Sequence, residues 1–317
     1  AEYVIFFWYL RSAIGRVISL REVLIIVGLS GVLQAGIGIL QYVLQHDLGL
    51  QIFGESPLNP DGAAVAVVVV GENKILRSYG TFPHPNVLAL WLMFSLWAMQ
   101  WLWLKGYVKK AIFLVGYIVL LAGFILTFSR VAIALWFLCS GILFLKHWRS
   151  ARTMMIVTLC TSIIIGALVW PVLHERFQIH SSDEAVAQRL FYTKIAGESS
   201  TSHPLFGVGI GQFVPELMKK FPLYPPYIYQ PAHNLYILVL NEIGIVGFLA
   251  FCIWLLYQVK RAFSRSFGVG LMLCSLLALG VFDHYYWTLQ QGALVFWGVF
   301  AIIEGYDQSS DQVSRTI

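Results

Sequence analysis

Long apolar runs constrain this chain more than any other feature of its sequence. A helix needs about 20 mostly apolar residues to cross the hydrocarbon core of a bilayer. The runs that approach this length cover, approximately, residues 22–45, 86–104, 111–128, 130–146, 153–172, 234–258, 267–282 and 286–304. The sequence therefore predicts an all-α polytopic membrane protein with about eight transmembrane helices.

The composition agrees with this fold class. Hydrophobic residues make up 58% of the 317 positions and charged residues 12%, about half the charged share of a typical soluble domain. So few polar side chains cannot cover a water-facing surface, which excludes an ordinary soluble enzyme, a secreted scaffold and a disordered segment. The net charge of +5 is typical of loops anchored at the cytoplasmic face, so no nucleic-acid partner is expected.

The distribution of Lys and Arg predicts the orientation. With eight spans, 13 of the 21 fall on one side, which the positive-inside rule makes cytoplasmic. They are Arg11, Arg16, Arg21, Lys105, Lys109, Lys110, Lys146, Arg149, Arg152, Lys260, Arg261, Arg265 and Arg315. The opposite face carries the two long loops, 46–85 and 173–232.

We interpret residues 1–317 as a single integral membrane domain. Tyr3–Leu10 is too short to cross, and we expect a partial span or an interfacial helix there. The chain starts at Ala1 rather than Met, which is typical of a processed or truncated product. In loop 46–85, the β-branched run Val65–Val70 and the return strand Lys74–Tyr79 predict a β-hairpin.

The loop 173–232 is long enough to be functional. It separates the fifth and sixth spans. Ser181–Glu184 is typical of a helix start, and Ala185–Ala196 is expected to be an amphipathic helix. A second short helix is expected near Val214–Lys220. Gly207-Val-Gly-Ile-Gly211 lacks the βαβ context of a dinucleotide-binding motif and predicts a tight turn packed against the membrane surface.

Several polar residues fall at the outer face in this topology. Arg130 lies between two spans with almost no loop, and a charge at the hydrocarbon boundary usually faces a cavity or a partner. The others are Arg77, His84 and Asn86 before the second span, Arg189 in the long loop, His233 and Asn234 before the sixth span, and Asp283 with His284 between the last two. Each also has an ordinary explanation. Arg130 could snorkel to the interface, and Arg77 and Arg189 could be solvated. His233 could lie at a helix start with Asn234 as N-cap, Asp283 could form a cap or an ion pair, and His84 could lie in a turn. The span order predicts that they converge.

These side chains suit one type of chemistry. Guanidinium groups bind phosphate oxygens through two parallel hydrogen bonds, and histidine can accept a proton from a hydroxyl group. Together they fit a diphosphate leaving group and an activated acceptor hydroxyl. The outer side has no acidic cluster of the kind that holds Mg²⁺, so no metal and no cofactor are expected.

Four segments resemble the bacterial O-antigen ligase and polymerase superfamily. They are Arg77-Ser-Tyr-Gly-Thr-Phe-Pro-His-Pro-Asn-Val-Leu-Ala89, Leu126-Thr-Phe-Ser-Arg130, His203-Pro-Leu-Phe-Gly-Val-Gly-Ile-Gly-Gln-Phe213 and Ala232-His-Asn-Leu-Tyr-Ile-Leu-Val-Leu-Asn-Glu-Ile-Gly-Ile-Val-Gly247. Each motif is short, but the four occur in the right order over about 75–300. Members of that superfamily usually have more spans than this chain, so further N-terminal helices are expected.

The resemblance implies a GT-C-like glycosyltransferase of the bacterial inner membrane, acting at the periplasmic face on a glycan linked to undecaprenyl diphosphate. In that family, arginines matching Arg130 and Arg189 are implicated in holding the diphosphate, and a histidine matching His233 in activating the acceptor. Arg77 is a further candidate for the diphosphate. Asn234, Asn86, His84 and Asp283 are candidate supporting residues.

The acceptor separates the alternatives within the superfamily. A ligase uses the lipid A core, a polymerase uses a second lipid-linked glycan, and a protein O-glycosyltransferase uses a Ser or Thr hydroxyl. A ligase-like activity is slightly favoured. The alternative from another class is a transporter of anionic substrates, which is disfavoured because no internal repeat is visible and the charges cluster at one face. A purely structural role would not require Arg130 at a membrane boundary.

Overall fold

The computed structural model describes residues 2–62, 64–108, 110–178, 184–225 and 228–313. The chain divides into two compact units. The N-terminal unit comprises Phe7–Gln178 and Glu304–Ile317, and the C-terminal unit comprises Ala1–Phe6 and Ile179–Ile303. The α-helices are α1 Glu2–Ala13, α2 Leu20–Leu44, α3 Pro85–Leu104, α4 Lys110–Ile125, α5 Arg130–Lys146, α6 Trp148–Leu168, α7 Trp170–Phe177, α8 Glu184–Ser202, α9 Phe213–Lys220, α10 Leu235–Arg265, α11 Phe267–Leu279, α12 Tyr285–Thr288 and α13 Gln290–Val313.

The helical fold class is confirmed: the chain is a multi-pass, mostly helical membrane protein. Within the described residues, four helices are long and apolar enough to cross a membrane, namely α2, α3, α6 and α10. The segment Ala111–Ile125 and α11 are shorter apolar helices. A helix lies in each of the eight predicted runs, while the number of spans stays a prediction.

Two of the predicted runs are each divided between two separate helices in the structure. The run 153–172 is interrupted at Val169, whose ψ of 20° ends α6, and α7 then begins with a proline in its first turn. The run 286–304 is interrupted at Leu289, which is extended and ends α12 before α13 begins. Apolar composition alone does not reveal such breaks, because both sides of each break remain hydrophobic.

In the N-terminal unit, α3 is the central helix. It is apolar on every face and most of its side chains are buried, as expected for a helix surrounded by others. Small residues allow close crossings. A Cβ atom on Gly31 of α2 would lie 2.4 Å from Ser95 of α3, and one on Gly123 of α4 would lie 2.6 Å from Ala35 of α2.

A buried polar network connects the helices of this unit. The side-chain amide of Gln100 in α3 donates to Ser140 of α5 at 3.1 Å and to the hydroxyl of Tyr117 in α4 at 3.4 Å. The Tyr117 hydroxyl shares a hydrogen bond of 2.9 Å with Thr158 of α6. Such interhelical bonds contribute about 0.6 kcal/mol each on average.

The hairpin predicted in the first long loop is present. Strands β1 Val67–Val70 and β2 Asn73–Leu76 pair antiparallel, with Val67 opposite Leu76. The chain that follows is held on α2 by two glutamines. Gln41 accepts from the backbone N–H groups of Tyr79 and Gly80, and Gln34 accepts from that of Thr81 at 2.9 Å. These bonds fix the segment that contains Arg77.

In the C-terminal unit, α10 is broken at Gly244. This glycine has φ 66° and ψ −178°, a conformation that is essentially restricted to glycine. The segment 203–211 packs against the break and supplies four backbone hydrogen bonds. They run from Val208 N to Asn241 O (3.0 Å), Gly209 N to Glu242 O (2.9 Å), Ile245 N to Pro204 O (2.9 Å) and Val246 N to Leu205 O (3.3 Å). The Gly207–Gly211 motif is therefore a turn that completes a broken helix.

The helices predicted in the second long loop are present with different boundaries. The structure has α8 from Glu184 to Ser202, longer than the predicted 185–196, and α9 begins one residue before the predicted Val214. Residues 181–183 of the predicted helix start lie outside the described residues. Tyr192 and Ile195 of α8 form a core with Phe213 and Leu217 of α9 and with Leu238 of α10.

Candidate active site

His233 lies directly before α10, between two aromatic rings. It stacks on Tyr192 of α8 with ring centroids 5.7 Å apart and an interplanar angle of 24°. The ring of His284 meets it edge-on at 5.0 Å. The His233 Nδ1 atom is buried and has no hydrogen-bond partner among the described residues. A buried polar atom without a hydrogen-bond partner costs about 1–3 kcal/mol of stability. The two neighbouring rings hold the imidazole in place although this nitrogen has no hydrogen bond.

Burial lowers the pKa of His233 to about 4 from its ordinary value of 6.5. The charge of Asp283 and a hydrogen bond with the backbone of Pro231 raise the pKa of His233 and so oppose the effect of burial. His284 and the charge of Arg189 lower it further. The imidazole is consequently neutral at pH 7, the form that can accept a proton. The pKa falls because burial in an environment of low polarity disfavours the charged form of the imidazole.

Arg189 and His233 are brought together in the C-terminal unit. Arg189 lies on α8, one helical turn before Tyr192, and its charge acts on the imidazole. Its Nε atom is buried and has no hydrogen-bond partner in the part of the chain that the structure describes. The side chain is thus partly buried rather than a solvated charge on an exposed helix face.

Asp283 and His284 complete this group. Asp283 is buried, with 7% of its surface exposed, and its carboxylate accepts from the backbone N–H of His284 at 2.9 Å. Burial also lowers the pKa of His284 to about 4, and its Nδ1 shares a hydrogen bond of 2.6 Å with Thr288. We name His233, Arg189, Asp283 and His284 the histidine group.

Asn234 is the N-cap of α10. Its side-chain oxygen accepts from the backbone N–H groups of Tyr236 and Ile237, both at 3.0 Å. The backbone N–H of Leu235 donates to the carbonyl of Gly280 at 2.8 Å. These bonds satisfy the first N–H groups of the helix and fix the direction from which His233 enters the site.

Arg77 lies in the N-terminal unit with 3% of its surface exposed. Its Nε donates to the carbonyl of Thr127 at 2.7 Å, and one terminal nitrogen donates to the side-chain oxygen of Asn86 at 2.8 Å. The explanation of Arg77 as a solvated hairpin residue is therefore wrong. The guanidinium connects the hairpin exit to the start of α3 and to the turn between α4 and α5.

His84 and Asn86 organise the start of α3. His84 is the N-cap, and its Nδ1 accepts from the backbone N–H of Asn86 at 3.1 Å. Its ring lies 6.3 Å from that of Tyr79. Both predicted supporting residues thus have structural partners within the N-terminal unit, and a direct contact with substrate stays a prediction for them.

Arg130 is the first residue of α5 and is half-buried. The turn before it contains Phe128, a fully buried non-glycine residue with φ 47°. Such a positive φ is strained for a bulky side chain and persists only where the surrounding structure imposes it. The Arg77 bond to Thr127 and the donation from the backbone of Ser78 to the carbonyl of Leu126 impose it here.

Sequence reasoning missed one residue that organises the C-terminal unit. Glu242 is buried within α10 and accepts from the indole N–H of Trp287 in α12 at 2.6 Å. It also accepts from the backbone N–H of Phe213 at the start of α9 at 3.5 Å. A carboxylate inside a predicted apolar span was the available signal.

No three His, Cys, Asp or Glu side chains among the described residues form a group that could hold a metal ion.

The family comparison covers candidate residues of both units. Residues 115–252 match a family model described as O-antigen ligase. The resemblance to that family is confirmed. The matched range contains Arg130, Arg189 and His233, while Arg77 and Asp283 lie on either side of it. No curated protein matches the chain. The family consists of glycosyltransferase-like enzymes, ligases and polymerases of polysaccharide biosynthesis.

Proposed function

We propose that this O-antigen ligase family protein transfers a glycan from undecaprenyl diphosphate to an acceptor hydroxyl at the periplasmic face of the bacterial inner membrane. The observation that carries the proposal is the histidine group. The neutral imidazole of His233 and the guanidinium of Arg189 lie in the same unit, each with a buried nitrogen that lacks a partner among the described residues. A hydroxyl and a phosphate oxygen would supply those partners.

His233 acts as the general base in this proposal. It removes the proton of the acceptor hydroxyl while the oxygen attacks the anomeric carbon from the side opposite the lipid. The bond between the anomeric carbon and the phosphate oxygen breaks, so the configuration inverts and undecaprenyl diphosphate leaves with the bonding electrons. The proton on His233 then passes to solvent, which restores the neutral base.

Arg189 and Arg130 bind the diphosphate and stabilise the charge that develops on it. Permanently charged, planar groups suit this task because they donate two parallel hydrogen bonds to phosphate oxygens. They allow a mechanism without a metal ion.

We propose a different role for Arg77 from the diphosphate contact that its sequence position suggested. Its guanidinium already donates to Thr127 and Asn86. We therefore assign Arg77 as a positioning residue that holds the strained turn before Arg130. This assignment explains a buried arginine at the membrane boundary without requiring a third phosphate contact.

The acceptor decides the type of enzyme. We favour a ligase-like activity on the lipid A core over polymerisation or transfer to a protein hydroxyl. The alternative of a transporter gains one observation, since α10 is interrupted at Gly244 and transporters often use interrupted helices. In this chain, however, the loop 203–211 occupies backbone groups at the break.

The test uses full-length protein in detergent with a synthetic undecaprenyl-diphosphate glycan, a mixture of the three acceptor classes, and EDTA. Released undecaprenyl diphosphate and the mass of the glycosylated product are measured together. The proposal expects product in the presence of EDTA, and its mass identifies the acceptor. Absence of product and of lipid release, together with flux of the same substrate in proteoliposomes, would support the transporter instead.

A further inference from the structure

The segment between α8 and α9 contains an apolar tip. From Pro204 to Gly211 the sequence has no charged or polar side chain. Leu205 is 57% exposed, Phe206 75% and Ile210 70%. Three large apolar side chains exposed within residues 205–210 of one loop are unusual on a surface that faces water.

At the helix break, the backbone of this segment forms its hydrogen bonds with the backbone of α10 rather than with water. Four bonds join it to α10, two in each direction, between residues 204–209 and 241–246. Glycine makes this approach possible, because a Cβ atom on Gly207 would lie 2.4 Å from the backbone of Glu242. Non-helical backbone is tolerated at membrane depth when its polar groups are paired with protein.

The position of the break along α10 sets the depth of the loop. Gly244 precedes Lys260 by 16 residues (260 minus 244), and no charged residue lies between them. At about 1.5 Å per residue this is about 24 Å of helix, within the hydrocarbon core of about 30 Å. With Lys260 at the cytoplasmic boundary, the break lies inside the core, on its outer side.

The face of α10 beyond the break is also apolar and exposed. Val246, Leu249 and Ile253 are all exposed, as expected for the side of a transmembrane helix that contacts lipid. The apolar tip is adjacent to this face, because its backbone is bonded to residues at the start of it. Exposed apolar side chains thus lie both on the loop and on the part of the helix to which its backbone is bonded.

We propose that Leu205, Phe206 and Ile210 insert into the hydrocarbon of the outer leaflet, so that 203–211 is a re-entrant membrane anchor. Its partner is the acyl chains of the bilayer, which already cover the adjoining face of α10. The anchor directly follows α8 and therefore fixes the depth of the helix that carries Arg189. This inference depends on α10 crossing the membrane and is independent of the proposed reaction.

Depth-dependent fluorescence quenching tests the proposal. The full chain, with its four cysteines replaced by alanine, receives Phe206→Cys and is labelled with the environment-sensitive fluorophore NBD. Leu223→Cys is the matched control, because Leu223 is an apolar residue of the same long loop with 95% of its surface exposed. Both proteins are reconstituted in phosphatidylcholine and phosphatidylglycerol vesicles after size-exclusion chromatography has shown that they are monodisperse.

At position 206 we expect blue-shifted emission and several-fold stronger quenching by nitroxides on lipid acyl chains than at position 223. Aqueous iodide should quench position 223 several-fold more strongly than position 206. Equal iodide quenching at both positions would overturn the proposal, because the tip would then face water. Protection of position 206 from both quenchers would also overturn it, since the tip would then be covered by protein.

Discussion

The environments of Arg77 and of His233 differ in what their polar atoms contact. In the N-terminal unit, the guanidinium of Arg77 donates to Thr127 and Asn86, and His84 caps α3. In the C-terminal unit, His233 and Arg189 each keep a buried nitrogen without a partner among the described residues. The first arrangement stabilises a fold, whereas the second costs stability and is expected where a substrate binds.

The largest effect is expected for His233→Ala, which removes the general base. Transfer should fall by about 10²–10⁴-fold, while the affinity for the lipid-linked donor changes little. Single-turnover transfer and donor binding are measured on the same preparation. His174→Ala, in an exposed histidine of α7, is the matched control and should retain full activity. Unchanged transfer in His233→Ala would exclude this residue as the base.

Gly244→Ala should separate the loop from α10. The new Cβ would lie 2.4 Å from the backbone of Leu205, and the backbone conformation alone costs about 1–3 kcal/mol for a residue other than glycine. A lower melting temperature and faster proteolysis of 203–211 are expected. Gly141→Ala serves as control, since no atom apart from the adjacent backbone of its own helix lies within 4 Å of its added Cβ. Equal melting temperatures for the two variants would contradict the described packing.

Asn234→Ala should cost about 1 kcal/mol, the typical contribution of an N-cap. The melting temperature is measured beside that of Asn234→Asp, which keeps the capping oxygen and should remain close to the original protein. If Asn234→Ala and Asn234→Asp lower the melting temperature equally, the side-chain oxygen does not act as a cap.

The smallest effect is expected in the pH dependence of transfer. Because the pKa of His233 lies at about 4, the rate should remain constant as the pH falls from 7 and decrease only as it approaches that value. Arg189→Gln removes a charge that lowers this pKa, so the residual activity should decrease at higher pH than in the original protein. Asp283→Asn removes a charge that raises it and should shift the decrease to lower pH. Shifts in the same direction would contradict the assigned neighbours.

The sequence predicted the helical elements well because their apolar runs are long and separated by charged loops. It also predicted the hairpin, since β-branched residues flank a Gly-Glu-Asn turn. It did not predict the breaks at Val169, Gly244 and Leu289, where the apolar composition continues across the interruption. Those breaks depend on backbone conformation and on contacts with segments distant in sequence.

The candidate site was predictable in its residue types but not in their environments. Arg189, His233 and Asp283 are candidates because ionisable groups at a membrane boundary indicate a partner or a function. The structure places the three residues together in one unit. The contact of Arg77 with Thr127 spans 50 residues of sequence, and that of Glu242 with Trp287 spans 45. A single sequence contains no local signal for such pairs.

The most direct test of the difference between the two environments compares Arg77→Lys with Arg189→Lys in the full-length protein. Melting temperature, donor affinity and transfer rate are measured for both. Lysine cannot donate to Thr127 and Asn86 in the geometry of a guanidinium. Arg77→Lys should therefore lower the melting temperature, with donor affinity of the folded protein little changed. Arg189→Lys should keep the melting temperature and reduce donor affinity and transfer. The reverse pattern, with Arg189→Lys unstable and Arg77→Lys stable but inactive, would contradict the account.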